Sequence, residues 1–140
     1  MDLIAKLYRE HAEILESVAA LRPVLADNAV PPRAAYFELK FALARQLVAH
    51  LTSEDLLVYP RLIKSEDARV AETATRFAQE LGGLLGAFKD WSAQWTYERA
   101  AAEWPVFRRE TNQLLRTLTT RIERENRELY PFAGEASKAA

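Results

Sequence analysis

Apolar side chains recur along this chain at three- and four-residue steps through four long stretches, and no useful length alternates apolar with polar residues as a half-buried strand requires. The stretches run from Asp2 to Ala26, from Pro32 to Lys64, from Glu66 to Trp95 and from Ala101 to Tyr130. The pair Pro31-Pro32 suits a helix start, Ser65-Glu66-Asp67 offers an N-cap and first-turn carboxylates, and Trp104-Pro105 lies near the first turn of the last stretch. Proline supplies no amide donor, so Pro23 is expected to end or kink the first helix, Pro60 to bend or break the second and Pro131 to close the fourth. At about 1.5 Å per residue each helix is about 40–50 Å long. Four such rods joined by short turns describe an all-α, up-down-up-down four-helix bundle. A length of 140 residues supports one such domain, expected over residues 1–133, with a flexible C-terminal tail over 134–140.

Charge and composition narrow the chemistry. Lys plus Arg number 19 against 20 Asp plus Glu, for a net charge of -1, which supports neither a nucleic-acid partner nor an anionic membrane surface. With no cysteine, disulfides, thiolate metal sites and cysteine nucleophiles are excluded. No apolar run approaches the ~20 residues of a membrane span, and Met1-Asp2-Leu3-Ile4 lacks the charged-then-apolar order of a signal peptide. A cytoplasmic location is the expectation. Two histidines limit any imidazole site, so further ligands must come from carboxylates, tyrosine or water. No phosphate-binding glycine loop occurs.

The inward stripes carry the informative exceptions. In the first stretch Ile4, Leu7, His11, Ile14, Val18 and Leu21 share a face; in the second, Leu43, Leu47, His50, Glu54 and Leu57 do. The third is apolar throughout: Ala74, Phe77, Leu81, Leu84, Phe88, Trp91 and Trp95. The fourth places Arg121 and Glu125 among Phe107, Leu114, Leu118 and Leu129, with Ile122 competing for the inward position. An unpaired buried charge costs several kcal/mol, roughly, so these groups are expected to converge and satisfy one another or a cation. In an antiparallel bundle their heights coincide near the end that also holds Tyr8, Tyr59 and Tyr130. The cluster Gly82, Gly83 and Gly86 reads as a close helix approach, or alternatively as a kink beside Leu81 that admits a small ligand. Trp91, Trp95 and Trp104 read as core caps at the opposite end, where any exposed fraction would mark a partner surface.

A doubled motif ties the second and fourth stretches together. His50-Leu51-Thr52-Ser53-Glu54-Asp55-Leu56-Leu57-Val58-Tyr59-Pro60 aligns with Arg121-Ile122-Glu123-Arg124-Glu125-Asn126-Arg127-Glu128-Leu129-Tyr130-Pro131, as in a duplicated helix pair. With His11 on the first helix, this pattern resembles the haemerythrin-like (HHE cation-binding) domain family. The resemblance implies a four-helix bundle carrying a non-haem di-iron centre. His11, His50, Glu54 and Glu125 match the family's ligand positions. The fourth-helix histidine is replaced by Arg121, and Phe77 and Leu81 stand where the third helix would supply histidines, with Glu80 one residue away.

Four ligands beside a guanidinium that cannot deprotonate are too few for a complete di-iron centre. Two arrangements remain open. In one, Arg121 replaces the charge of a metal, bridging Glu54 and Glu125 while His11 and His50 complete the hydrogen bonds. In the other, His11, His50, Glu54 and Glu125 hold a single divalent cation, iron by family precedent, with Arg121 swung aside and Glu80 as an additional candidate. Ligand inventory favours the metal-free or weakly metal-binding cluster. The expected function is a divergent haemerythrin-like binding or sensing module. The alternatives are a non-haem iron protein that binds or senses oxygen, nitric oxide or peroxide, and a structural interaction bundle forming a homodimer or docking a protein partner. No nucleophile–base pair emerges on which to assign catalysis.

Overall fold

A computed structural model of the chain describes residues 2–133; the tail expected over 134–140 lies outside the described residues. Helix α1 spans Leu3–Ala26, α2 Arg33–Ser53, α3 Tyr59–Ile63, α4 Ala68–Leu81, α5 Leu84–Gln94, α6 Tyr97–Ala102 and α7 Trp104–Arg124, and no strand occurs among the described residues. Two π turns, Glu54–Val58 and Glu125–Leu129, interrupt this series. The architecture is all-α as expected, but the long stretches are divided where local chemistry demands it. Among the described residues no helix is long and apolar enough to cross a membrane.

Helix starts follow side-chain capping. The Asp2 carboxylate accepts from the Ile4 amide at 3.0 Å, and Asp67, rather than Ser65, caps α4 by accepting from the Arg69 amide at 3.0 Å. Helix α1 does not stop at Pro23 but runs on to Ala26. One lost hydrogen bond is tolerated there because Leu25 is buried and Arg108 Nε donates to its carbonyl at 2.5 Å. Pro105 lies in the first turn of α7, where its missing donor costs nothing.

Both π turns have the same cause. Pro60 and Pro131 cannot donate to the carbonyls four residues back, and their rings press against them. The helix widens, so the Tyr59 amide reaches the Glu54 carbonyl and the Tyr130 amide reaches that of Glu125, each five residues back. Pro60 therefore does not break the helix, which resumes as α3. Nor does Pro131 end the fourth, since helical structure continues through 130–133. The extra residue shifts the register: Leu57, expected inward, is 61% exposed, and Val58 takes its place at 1%.

The third stretch divides at Gly82 and Gly83. A Cβ at Gly82 would lie 2.2 Å from the Ala78 carbonyl oxygen, whereas at Gly83 and Gly86 it would meet nothing within 4 Å. The glycines thus mark a helix break, not the close helix approach expected of them. The break frees the Leu81 carbonyl, which an unbroken helix would spend on an amide four residues on.

Helix α1 packs against α2 and α7, and α5 packs against the same two. The larger apolar core holds Ile14, Leu43, Leu47, Phe88, Trp95 and Leu118, among others. A second core, including Ile4, Leu7, Val58, Phe77 and Leu129, lies apart from it. Trp91, Trp95 and Trp104 are buried, 8%, 0% and 4% exposed, as core caps are. Their indole N–H groups donate to Thr111, Glu110 and the Asp27 carbonyl.

Gly82→Ala is expected to destabilise the fold by about 1–3 kcal/mol through overpacking, and Gly86→Ala to stabilise it by up to about 1 kcal/mol by helix propensity. Urea denaturation of the two variants checks this; equal midpoints would show that the break is not steric.

Candidate functional site

Between the two apolar cores lies a polar layer. His11, His50, Glu54, Arg121 and Glu125 are all at most 2% exposed. They come from α1, α2, the first π turn, α7 and the second π turn. The layer is not at an open end of the molecule, because the second core closes over it. Charges this deep persist only where partners satisfy them.

The doubled motif builds reciprocal clasps. The Tyr59 hydroxyl donates to Glu125 Oε2 at 2.6 Å, and that of Tyr130 donates to Glu54 Oε2. Each tyrosine therefore holds the carboxylate of the other repeat. The remaining oxygens face the imidazoles: Glu54 Oε1 is 2.7 Å from His50 Nε2, and Glu125 Oε1 is 3.2 Å from His11 Nε2.

Both imidazoles are tied from behind. His50 Nδ1 donates to Glu10 Oε1 at 2.8 Å, and His11 Nδ1 donates to Asn126 Oδ1 at 2.7 Å. In a neutral ring with Nδ1 carrying the hydrogen, Nε2 is left with the lone pair a metal ligand needs; it faces Glu54 in His50, and Glu125 and the Tyr130 hydroxyl, the latter at 3.3 Å, in His11. The rings stand 4.7 Å apart between centres. His50 Nε2 and Glu125 Oε1 are buried without a hydrogen-bond partner; their neighbours are near, but not in hydrogen-bonding orientation. One ligand atom from each of His11, His50, Glu54 and Glu125 lies within 4.8 Å of the other three, so the group fits a metal ion. Ligands at about 2.1 Å from one ion stand about 3–4 Å apart, a small adjustment away.

Arg121 is not swung aside. Its Nε donates to Glu125 Oε2 at 3.1 Å, its Nη2 to Asp55 Oδ1 at 2.9 Å and to Glu54 Oε1 at 3.5 Å. Its Nη1 takes the Leu81 carbonyl at 3.1 Å. The third helix thus contributes a main-chain oxygen where histidines were sought. Phe77 is fully buried in the second apolar core, and Glu80 stays outside the layer, paired with Arg124 at 2.7 Å.

Sequence reasoning missed the supporting residues Glu10, Asp55 and Asn126. Each directly precedes or follows an inward ionisable residue, one step of about 100° around the helix, and that adjacency was the available signal. A small cavity of about 200 Å³ lined by Asp55, Tyr59, Phe77, Ala78, Gly82 and Arg121 adjoins the layer at the helix break.

Electrostatics follows from this geometry. Burial alone would lower the His50 pKa, but the Glu54 and Glu10 carboxylates raise it to about 9. Burial likewise works against ionised Glu54, yet His50 and Arg121 prevail and bring it to about 2. Glu125 is raised to about 7, first by burial and then by the charge of Glu54. Arg121 is held charged by Glu125 and Glu54 against its desolvation.

Removing the guanidinium leaves two buried acids facing each other, so Arg121→Ala is expected to cost about 3–5 kcal/mol in the metal-free protein, read from chemical denaturation. A loss below about 1 kcal/mol, typical of exposed pairs, would contradict the burial. The metal-free protein should also vary in stability with pH. Glu54, depressed below its ordinary 4.5, adds stability as pH rises from about 2 to 4.5. Glu125, raised from 4.5 to about 7, gives stability up as pH rises through that interval. His50, raised from 6.5 to about 9, contributes fully below 6.5 and loses it by pH 9. The urea midpoint should therefore fall between pH 6.5 and 9, and His50→Gln should flatten that fall; an unchanged slope in the variant would refute the assignment.

The family model described as Hemerythrin HHE cation binding domain matches residues 2–133. No curated protein and no solved structure matches the chain. The family match spans every described residue, including both copies of the doubled motif, and the chain belongs to the haemerythrin family of HHE cation-binding domains.

Proposed function

We propose that this chain is a haemerythrin-like binding or sensing module that takes up one divalent cation, iron by family precedent, through His11, His50, Glu54 and Glu125. In this reading the scaffold is an up-down-up-down four-helix bundle whose four rods are α1, α2 with α3, α4 with α5, and α7. The observation that carries the proposal is the pair of buried atoms without hydrogen-bond partners, His50 Nε2 and Glu125 Oε1. They face inward beside two further ligand atoms. A divalent ion there would supply a Lewis acid and, as iron, a redox-active centre for a small ligand such as oxygen, nitric oxide or peroxide.

The chain's own residues define the rest. Glu10 and Asn126 hold the imidazole rings in the tautomer that offers Nε2. Tyr59 and Tyr130 hold Oε2 of Glu125 and of Glu54, and Arg121 reaches Glu125 Oε2 and, beside His50, Glu54 Oε1. Arg121 limits the cluster to one ion, since it already compensates one of the two buried negative charges. The remaining charge is met by a proton on His50 or by the cation, and the two compete for the same nitrogen.

A second reading keeps the cluster metal-free, with Arg121 and protonated His50 as its only cations. Its support is the full engagement of the guanidinium by Glu54, Asp55, Glu125 and the Leu81 carbonyl.

Anaerobic titration with Fe(II), followed by calorimetry and elemental analysis, separates the two. One ion per chain is expected, with affinity rising about tenfold per pH unit between pH 7 and 9 as His50 releases one proton, and more steeply below pH 7 where Glu125 is protonated as well, and with uptake lost in His50→Ala and in Glu125→Gln. No uptake would leave the metal-free cluster, and two ions per chain would overturn the role given to Arg121.

A further inference from the structure

The cavity of about 200 Å³ at the helix break is lined by both partners of one ion pair, Arg121 and Asp55. A guanidinium carries five N–H donors. Four of those on Arg121 are spent: Nε on Glu125, the two of Nη2 on Asp55 and Glu54, and one of Nη1 on the Leu81 carbonyl. The fifth, also on Nη1, has no partner among the described residues, although the side chain is only 1% exposed. Arginine and a carboxylate commonly pair through two parallel bonds. Here Asp55 accepts through Oδ1 alone, and its Oδ2 has no hydrogen-bond partner among the described residues. One ion pair thus brings an unmet donor and an open acceptor to the same cavity.

The remaining walls decide what kind of molecule can use them. Phe77 and Ala78 supply apolar surface, and Tyr59 a ring whose hydroxyl is already committed to Glu125. A cation would meet Arg121 in the wall and two more guanidinium groups over the Phe77 ring, Arg124 at 4.5 Å and Arg76 at 5.6 Å from its centre. An anion would meet Asp55 in the wall and the Glu54 and Glu125 carboxylates on the far side of Arg121. Like charges repel more strongly in so poorly solvated a setting. The occupant that fits is therefore neutral, accepts from Arg121 with one atom and donates to Asp55 with another close by. The cavity has room for several waters, at about 30 Å³ each, or for one organic molecule smaller than the occupants of ordinary ligand pockets of about 300–1,000 Å³.

We infer that the cavity at the helix break is a binding site for a small, neutral primary carboxamide. The ligand's carbonyl oxygen accepts from Arg121 Nη1, its NH2 group donates to Asp55 Oδ2, and its short apolar body lies against Phe77 and Ala78. The site meets the buried layer at Arg121 and Tyr59 but includes none of His11, His50, Glu54 and Glu125. It needs no cation, so its failure and the failure of cation binding are read separately.

The test titrates chelator-treated, full-length protein with isobutyramide, isobutyrate and isobutyramidinium, which share one shape and differ in charge and donor pattern, followed by calorimetry and saturation-transfer NMR. Isobutyramide is expected to bind saturably, one per chain, and at least about tenfold more tightly than either ion, because isobutyrate leaves Asp55 unpaired and the amidinium leaves Arg121 unpaired. Asp55→Asn keeps a carbonyl for Arg121 and offers the cavity an NH2 group in place of Oδ2. It should reverse the ranking so that isobutyrate outbinds isobutyramide, a reversal that a merely structural role for Asp55 would not produce. Ala78→Leu fills the cavity and should abolish binding of all three. Should that variant fail to fold by circular dichroism, the ranking in the parent and its reversal in Asp55→Asn decide. No saturable binding of isobutyramide (a cavity that holds water only), equal affinity for the three probes, or undiminished binding in folded Ala78→Leu would overturn the site.

Discussion

One guanidinium decides how this interior is organised. Arg121 is buried among Glu54, Glu125 and Asp55, and burying that many acids without it would be prohibitive. Its fourth contact, the Leu81 carbonyl, exists because α4 stops at Gly82. The helix break, the arginine and the buried acids are thus mutually dependent. A sequence that kept the arginine but ran the third helix straight would leave its Nη1 without that acceptor.

Most of the scaffold was legible from periodicity. His11, His50, Glu54, Arg121 and Glu125 interrupt apolar stripes, and the fold does bring them to one level. The places where reading failed share a cause. Leu57 was assigned inward because steps of three and four assume a uniform α-helix, whereas the proline after Tyr59 inserts a π turn and hands the position to Val58. The second copy of the motif carried the correction in plain view, since Leu129, the partner of Val58 in the alignment, stood on the inward stripe from the start. Neither Pro23 nor Pro131 stops its helix, because a lost hydrogen bond near a helix end is cheaper than the packing that would be given up by stopping there.

The supporting shell was less legible for a different reason. Glu10, Asp55 and Asn126 sit on helix flanks, where carboxylates and amides are commonplace and usually solvated. Only the placement of α1 against α2 and α7 tells that Glu10 meets His50 and that Asn126 meets His11. Glu80, a candidate by proximity in sequence, faces Arg124, since the flank it occupies does not turn toward the interior.

The crossed tyrosine clasps have a structural corollary. Each repeat carries an acid whose phenol partner is supplied by the other, so a fragment holding a single repeat would strand one of each in an apolar setting. The two halves of this chain are consequently obligate companions, and the ancestor of such a duplication would have met the same need by pairing with a second copy of itself.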